Sequence, residues 1–158
     1  MKNTVIDNHT VGSFFGLENE KESPIHFSKH TRSLVIEPSS REDISFPFRD
    51  LEKIMSYRLP TSMSDVLIQE RTGNYKFLSV ETFLFLIYAF LYEKPEFGWE
   101  AFGFSFENGE QYLIHHLLKS GEKVTSFIIF DEEKWRIDTE YFNTSSPWNK
   151  GIMYLYFK

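Results

Sequence analysis

The chain has 158 residues, of which 41% are hydrophobic, 18% aromatic and 25% charged, with a formal net charge of -6 and no cysteine. That size suits one domain with a substantial core, and the abundance of rings argues against disorder throughout. The missing cysteines exclude disulfides, thiolate zinc sites and cysteine nucleophiles. The negative charge opposes nonspecific binding to phosphate backbones and favours encounter with a basic protein.

Residues 1–30 are polar and aperiodic and are expected to form an N-terminal arm, partly ordered, with Phe14, Phe15 and Leu17 as anchors. Residues 31–158 read as a single α+β domain. The opening "MKNTVIDNHTVGSFFGLENE" has neither the basic start nor the apolar run of a secretory leader, so the expected location is the cytoplasm. "RSLVIEP" (32–38) has the short apolar run and closing proline of a strand. "SFPFRDLEKIMSYRLP" predicts a helix. Ser45 can cap it, Pro47 suits its first turn, and Phe48, Leu51, Ile54, Met55 and Leu59 recur at helical spacing up to Pro60.

"DVLIQERTGNYKFL" (65–78) fits a hairpin turning at "TGN", with a short helix in its first half as the alternative. The stretch from Ser79 to about residue 93 predicts a helix without a polar face, and hence a buried one. Its apolar run, 83–92, is about half of the ~20 residues that span a bilayer. From residue 101 the pattern becomes that of strands. "AFGFSF", "QYLIHHLL", "KVTSFIIF", "WRIDTEYF" and "IMYLYFK" are separated by Asn108-Gly109, "KSGE", "DEEK" and "NTSSPWNKG". The expected fold is therefore α+β, with N-terminal helices packed on a C-terminal antiparallel meander of about five strands. For 108–121 a helix ending at Gly121 stays open.

Closing "KSGE" as an even loop sets Leu117 opposite Val124 and His115 opposite Ser126, and closing "DEEK" sets Ser126 opposite Thr139. This register puts His115, Ser126 and Thr139 in one row on the apolar face. It sends His116 to the other face beside Thr125 and Glu140, because successive strand side chains leave opposite faces. The two histidines therefore cannot serve one substrate or one metal. A histidine flanked by two hydroxyls can act as a base or orient a ligand, although hydrogen bonding within the core is the commoner fate of such a residue.

Other motifs are incomplete. "HFS" (26–28) is half of the motif of the two-histidine phosphoesterases, and no second half follows. "TGNYK" lacks the second glycine and the Lys-Ser/Thr of a phosphate loop. Asp138 and Glu140 share a strand face but suit an ion-paired surface with Arg136 or a neighbouring lysine better than a cation site. Neither a metal nor a cofactor is expected.

Two functions remain. One is a non-catalytic interaction module, such as a small acidic immunity or inhibitor protein that neutralises a protein partner such as a basic toxin or effector. Arg136, Asp138, Glu140 and the loop residue Trp148 are its candidate contacts. The other is a small-molecule binder or enzyme. The order of elements, helices before a curved sheet, resembles the cone-shaped nuclear transport factor fold, which implies a pocket lined by His115, Ser126 and Thr139.

Overall fold

The computed structural model describes residues 3–10, 25–39, 43–47, 54–73, 77–87, 109–131 and 134–157. In chain order these comprise β1 (Asn3–Thr10), β2 (Ile25–Phe27), a helical segment α1 (29–39), β3 (Asp43–Pro47) and β4 (Ile54–Arg58). Then follow α2 (Asp65–Thr72), α3 (Val80–Ile87), β5 (Gln111–Leu117), β6 (Lys123–Asp131), β7 (Lys134–Tyr141) and β8 (Met153–Phe157). No helix among the described residues is long and apolar enough to cross a membrane.

The α+β class holds. β1 and β3 form a two-stranded antiparallel sheet, and the other six strands form one mixed sheet in the order β2-β7-β6-β5-β8-β4. Only β5, β6 and β7 follow one another as the expected antiparallel meander. β8 instead pairs parallel with β5, and β2 pairs parallel with β7. A parallel partner cannot be reached through a tight turn. The chain therefore leaves β7, crosses one face of the sheet through residues 142–152, and enters β8 on the far side of β5. The strand expected at 101–107 and its Asn108-Gly109 turn lie outside the described residues, except for Gly109 with φ +85°.

Two elements correct the sequence reading. The segment expected as a strand, 32–38, is helical: Lys29–Thr31 runs through a π-helical turn, Arg32–Ile36, into Glu37–Ser39. A short apolar run has the same appearance in a strand and in a buried helix. Here Ser28 Oγ accepts from Thr31 N at 3.2 Å and starts the helix, while Val35 and Ile36 enter the core. The predicted helix 45–59 instead contributes strands β3 and β4, with 48–53 outside the described residues. β4 pairs with β8 from Ile54↔Phe157 to Arg58↔Met153, so a long-range partner overrides the local helical pattern.

The other helices match better. α2 takes the helical alternative for 65–78, with Ser64 Oγ accepting from Leu67 N at 3.3 Å and Gly73 (φ +94°) ending it. α3 is the buried apolar helix expected from residue 79. Ser79 Oγ accepts from Thr82 N at 3.1 Å, and Val80 and Phe83 through Ile87 are all buried. The continuation to residue 93 lies outside the described residues.

The β6–β7 register is as expected, with Ser126↔Thr139 and Ile128↔Ile137. The β5–β6 register is one residue away from expectation. Leu118 N donates to Glu122 O at 2.8 Å and Gly121 N to Leu118 O at 2.9 Å, with Gly121 at φ +92°. Lys119-Ser120-Gly121 is thus a three-residue loop with a left-handed glycine, not a four-residue one. The pairs become His116↔Val124, His115↔Thr125 and Ile114↔Ser126. A slip of one residue exchanges the two faces of a strand.

Each face has its own cover. Tyr112, Ile114, Val124, Ile128, Trp135 and Ile137 join the cluster containing α3, Val35 and Ile36. Leu113 and Tyr154 lie on the opposite face with Leu59, Met63 and Ile68 of α2. β5 is consequently buried on both sides from Tyr112 to His116.

Candidate functional site

His115 stands on the α2 face of β5. Ser64 caps α2 and places Asp65 in its first turn, with Gln69 four residues later on the same side of the helix. That spacing lets the two side chains take the two ring nitrogens of His115. Nε2 lies 2.9 Å from Asp65 Oδ1, and Nδ1 lies 2.7 Å from Gln69 Nε2. The geometry corresponds to a neutral imidazole donating from Nε2 to the carboxylate and accepting from the amide at Nδ1. Gln69 Nε2 donates also to Tyr154 Oη at 2.9 Å. The imidazole lies in an aromatic box, stacked on Phe77 (5.4 Å between centroids) and flanked by Phe142 and Tyr154 at 5.1 and 4.7 Å.

Asp65 collects more than this one donor. Its Oδ2 accepts from Asn143 N at 3.0 Å and Asn143 Nδ2 at 2.9 Å, and its Oδ1 accepts from Trp148 Nε1 at 2.8 Å. With no solvent exposure, the carboxylate is satisfied by four N–H groups and ties the crossover loop to α2 and β5. Burial and the negative charge of Asp65 together push the Tyr154 hydroxyl well above the ordinary tyrosine range.

His116 faces α3. Its ring stacks on Phe83 with centroids 3.7 Å apart and planes 5° from parallel. Nδ1 donates to Leu117 O at 3.2 Å, and Nε2 accepts from Ser126 Oγ at 2.7 Å, which in turn accepts from Thr139 Oγ1 at 2.7 Å. Complete burial depresses its pKa to about 3, against a smaller opposing effect of the hydrogen bond to Leu117 O.

The histidines do leave opposite faces, but the expected row of His115, Ser126 and Thr139 is not formed. Ser126 and Thr139 belong to His116, and the row is buried throughout. Both ring nitrogens of His115 are engaged, and the residue is only 3% exposed. Neither histidine offers a free nitrogen to a substrate. Among the described residues no group of three or more His, Asp or Glu side chains is placed to hold a metal ion.

The other candidates lie at the surface. Arg136, Asp138 and Glu140 point outward from β7 on the face that β6 shares with Phe127. Among the described residues neither Asp138 nor Glu140 makes a side-chain hydrogen bond or ion pair, so the expected pairing with Arg136 or a neighbouring lysine is not seen there. Trp148 arrives from the crossover loop, where its N and O exchange hydrogen bonds with Met63 at 2.8 and 3.0 Å. It is half-buried, and its ring is nearly parallel to that of Phe127 at 6.0 Å. Beside this pair opens a cleft of about 230 Å³ lined by Gln111, Phe127, Pro147, Trp148, Asn149 and Ile152.

Asp65, Gln69, Tyr154 and Phe127 are absent from the sequence-derived candidates. Ser64-Asp65 with Gln69 one helical turn later is a legible capped-helix signal. Its meeting with His115 depends on the packing of α2 on the sheet, a long-range contact that no local pattern announces. Comparisons of the chain with protein-family models, curated proteins and solved structures give no match.

Proposed function

We propose that the protein is a non-catalytic protein-binding module whose contact surface is the outer face of β6 and β7 together with the crossover loop carrying Trp148. The observation that supports this reading is the Phe127–Trp148 pair: two half-buried aromatic rings, held parallel at the edge of a cleft and bordered by exposed charges of β7. A rigid aromatic anchor within a polar rim is the usual anatomy of a protein interface. The indole is pre-positioned, because its N–H is bonded to a buried carboxylate and its backbone to Met63, which lowers the ordering cost of binding. In its finer form, the module is a small cytoplasmic immunity or inhibitor protein that neutralises a basic toxin or effector. The net charge of -6 supports that choice of partner.

The test is affinity capture from the source cells at near-physiological salt, followed by titration of the purified components. The expected result is one partner that binds saturably and is lost from the Trp148→Ala and Phe127→Ala variants while their circular dichroism is retained. Failure to recover any saturable partner, or binding indifferent to both substitutions, overturns the reading.

A further inference from the structure

The cleft beside Trp148 has a chemistry of its own. Its walls are two aromatic rings, a proline and Ile152, and its polar groups are the carboxamides of Gln111 and Asn149. Phe127 is in direct cross-strand register with Asp138 of β7, so the exposed Asp138 side chain emerges on the same face next to the phenyl ring. No partner among the described residues neutralises that carboxylate. Aromatic faces attract cations through their quadrupole, and a carboxylate beside them adds a charge. Arg136 is one pair further along, opposite Ile129, and Lys150 follows Asn149 in the loop. Arg136, Lys150 and Asp138 all lie outside the lining of the cleft, and of the three only Asp138 is in cross-strand register with a lining residue, Phe127.

From these placements we infer that the Phe127–Trp148 cleft receives one arginine side chain of a basic protein partner, its guanidinium lying over the rings and facing Asp138. This specifies the contact made by the surface proposed above and rests on that reading. Arginine fits better than lysine, since a planar guanidinium stacks on rings and directs several N–H groups at once. The two carboxamide oxygens and the Asp138 carboxylate can accept them. About 230 Å³ accommodates a single long side chain, not a folded element.

N-acetyl-arginine amide is the probe, titrated into the isotope-labelled full chain while the indole N–H resonance of Trp148 is followed, assigned with Trp148→Phe. The expected result is a saturable shift with a millimolar dissociation constant, weakened about fivefold by Asp138→Asn, the scale of an exposed ion pair, and weakened by added salt. No saturable shift overturns the inference, as does equal or tighter binding of N-acetyl-norleucine amide or of N-acetyl-lysine amide. Asp138 is exposed, so its substitution leaves the core intact. The probe acts without the partner, so the two proposals fail separately. A captured partner with no response to the arginine amide removes only the cleft assignment. A response to the amide without any partner removes the interaction reading and leaves the cation chemistry of the cleft standing.

Discussion

Asp65 Oδ1 and His115 Nε2 are 2.9 Å apart, with both side chains essentially inaccessible to solvent. The contact joins the first turn of α2 to the central strand of the sheet. Asp65 also accepts from Asn143 and Trp148. Asp65→Ala therefore strands four N–H groups in the interior. A buried donor left without its acceptor costs about 1–3 kcal/mol, and with several donors released together a loss above that of any single one is expected in urea unfolding. Trp148→Phe keeps a ring against Phe127 and removes one donor, so its loss should be nearer about 1–3 kcal/mol. Equal losses in the two variants would argue against Asp65 as the shared acceptor.

His116 makes the fold sensitive to acid. Its folded pKa of about 3 lies below the value of 6.5 for a free histidine, so below pH 6.5 the unfolded chain binds the extra proton. The stabilisation from keeping this ring neutral is complete above pH 6.5 and is lost as the pH falls toward 3. In that window one proton contributes a slope of about 1.4 kcal/mol per pH unit. Unfolding free energies of wild type and His116→Gln, measured across the window, should diverge at high pH and converge at low pH. Parallel curves would sink the assignment.

Tyr154 acts at the opposite end of the scale. Its hydroxyl is held neutral above the ordinary tyrosine value of 10.0, chiefly by burial. The associated stability is present below about pH 10 and declines as the pH rises further, since only the unfolded chain releases the proton readily. The difference in phenolate absorbance between wild type and Tyr154→Phe should show no ionisation near pH 10 until the chain unfolds. The same variant leaves a Gln69 N–H without its acceptor, a cost of about 1–3 kcal/mol at neutral pH.

Gly121 closes the loop whose register decides the partners of the two histidines. A Cβ there meets nothing within 4 Å, so Gly121→Ala tests the backbone conformation at φ +92° alone. A left-handed non-glycine residue costs about 1–2 kcal/mol, and thermal unfolding should report that loss. Gly121→Asn should lose less, because asparagine tolerates this region. An alanine variant as stable as wild type would mean that the loop does not need the left-handed glycine.

Local chemistry was enough for several features. The apolar run after Ser79 specified a buried helix, and the alternation in 111–141 specified three antiparallel strands whose adjacent histidines leave opposite faces. Each is decided by neighbours within one helical turn or one pleat. Other features required partners distant in sequence. Ile54, Met55 and Leu59 fit a helix until β8 offers a free edge, and "RSLVIEP" has no period long enough to distinguish strand from helix. The loop after Leu118 differs from its alternative by one residue, and that residue decides whether His115 meets Ser126 or Asp65. The sequence by itself therefore determined the class of the fold and the opposition of His115 and His116. Only the tertiary structure decided their partners, because an odd hairpin loop exchanges faces and the β7–β8 crossover brings Asn143 and Trp148 onto Asp65.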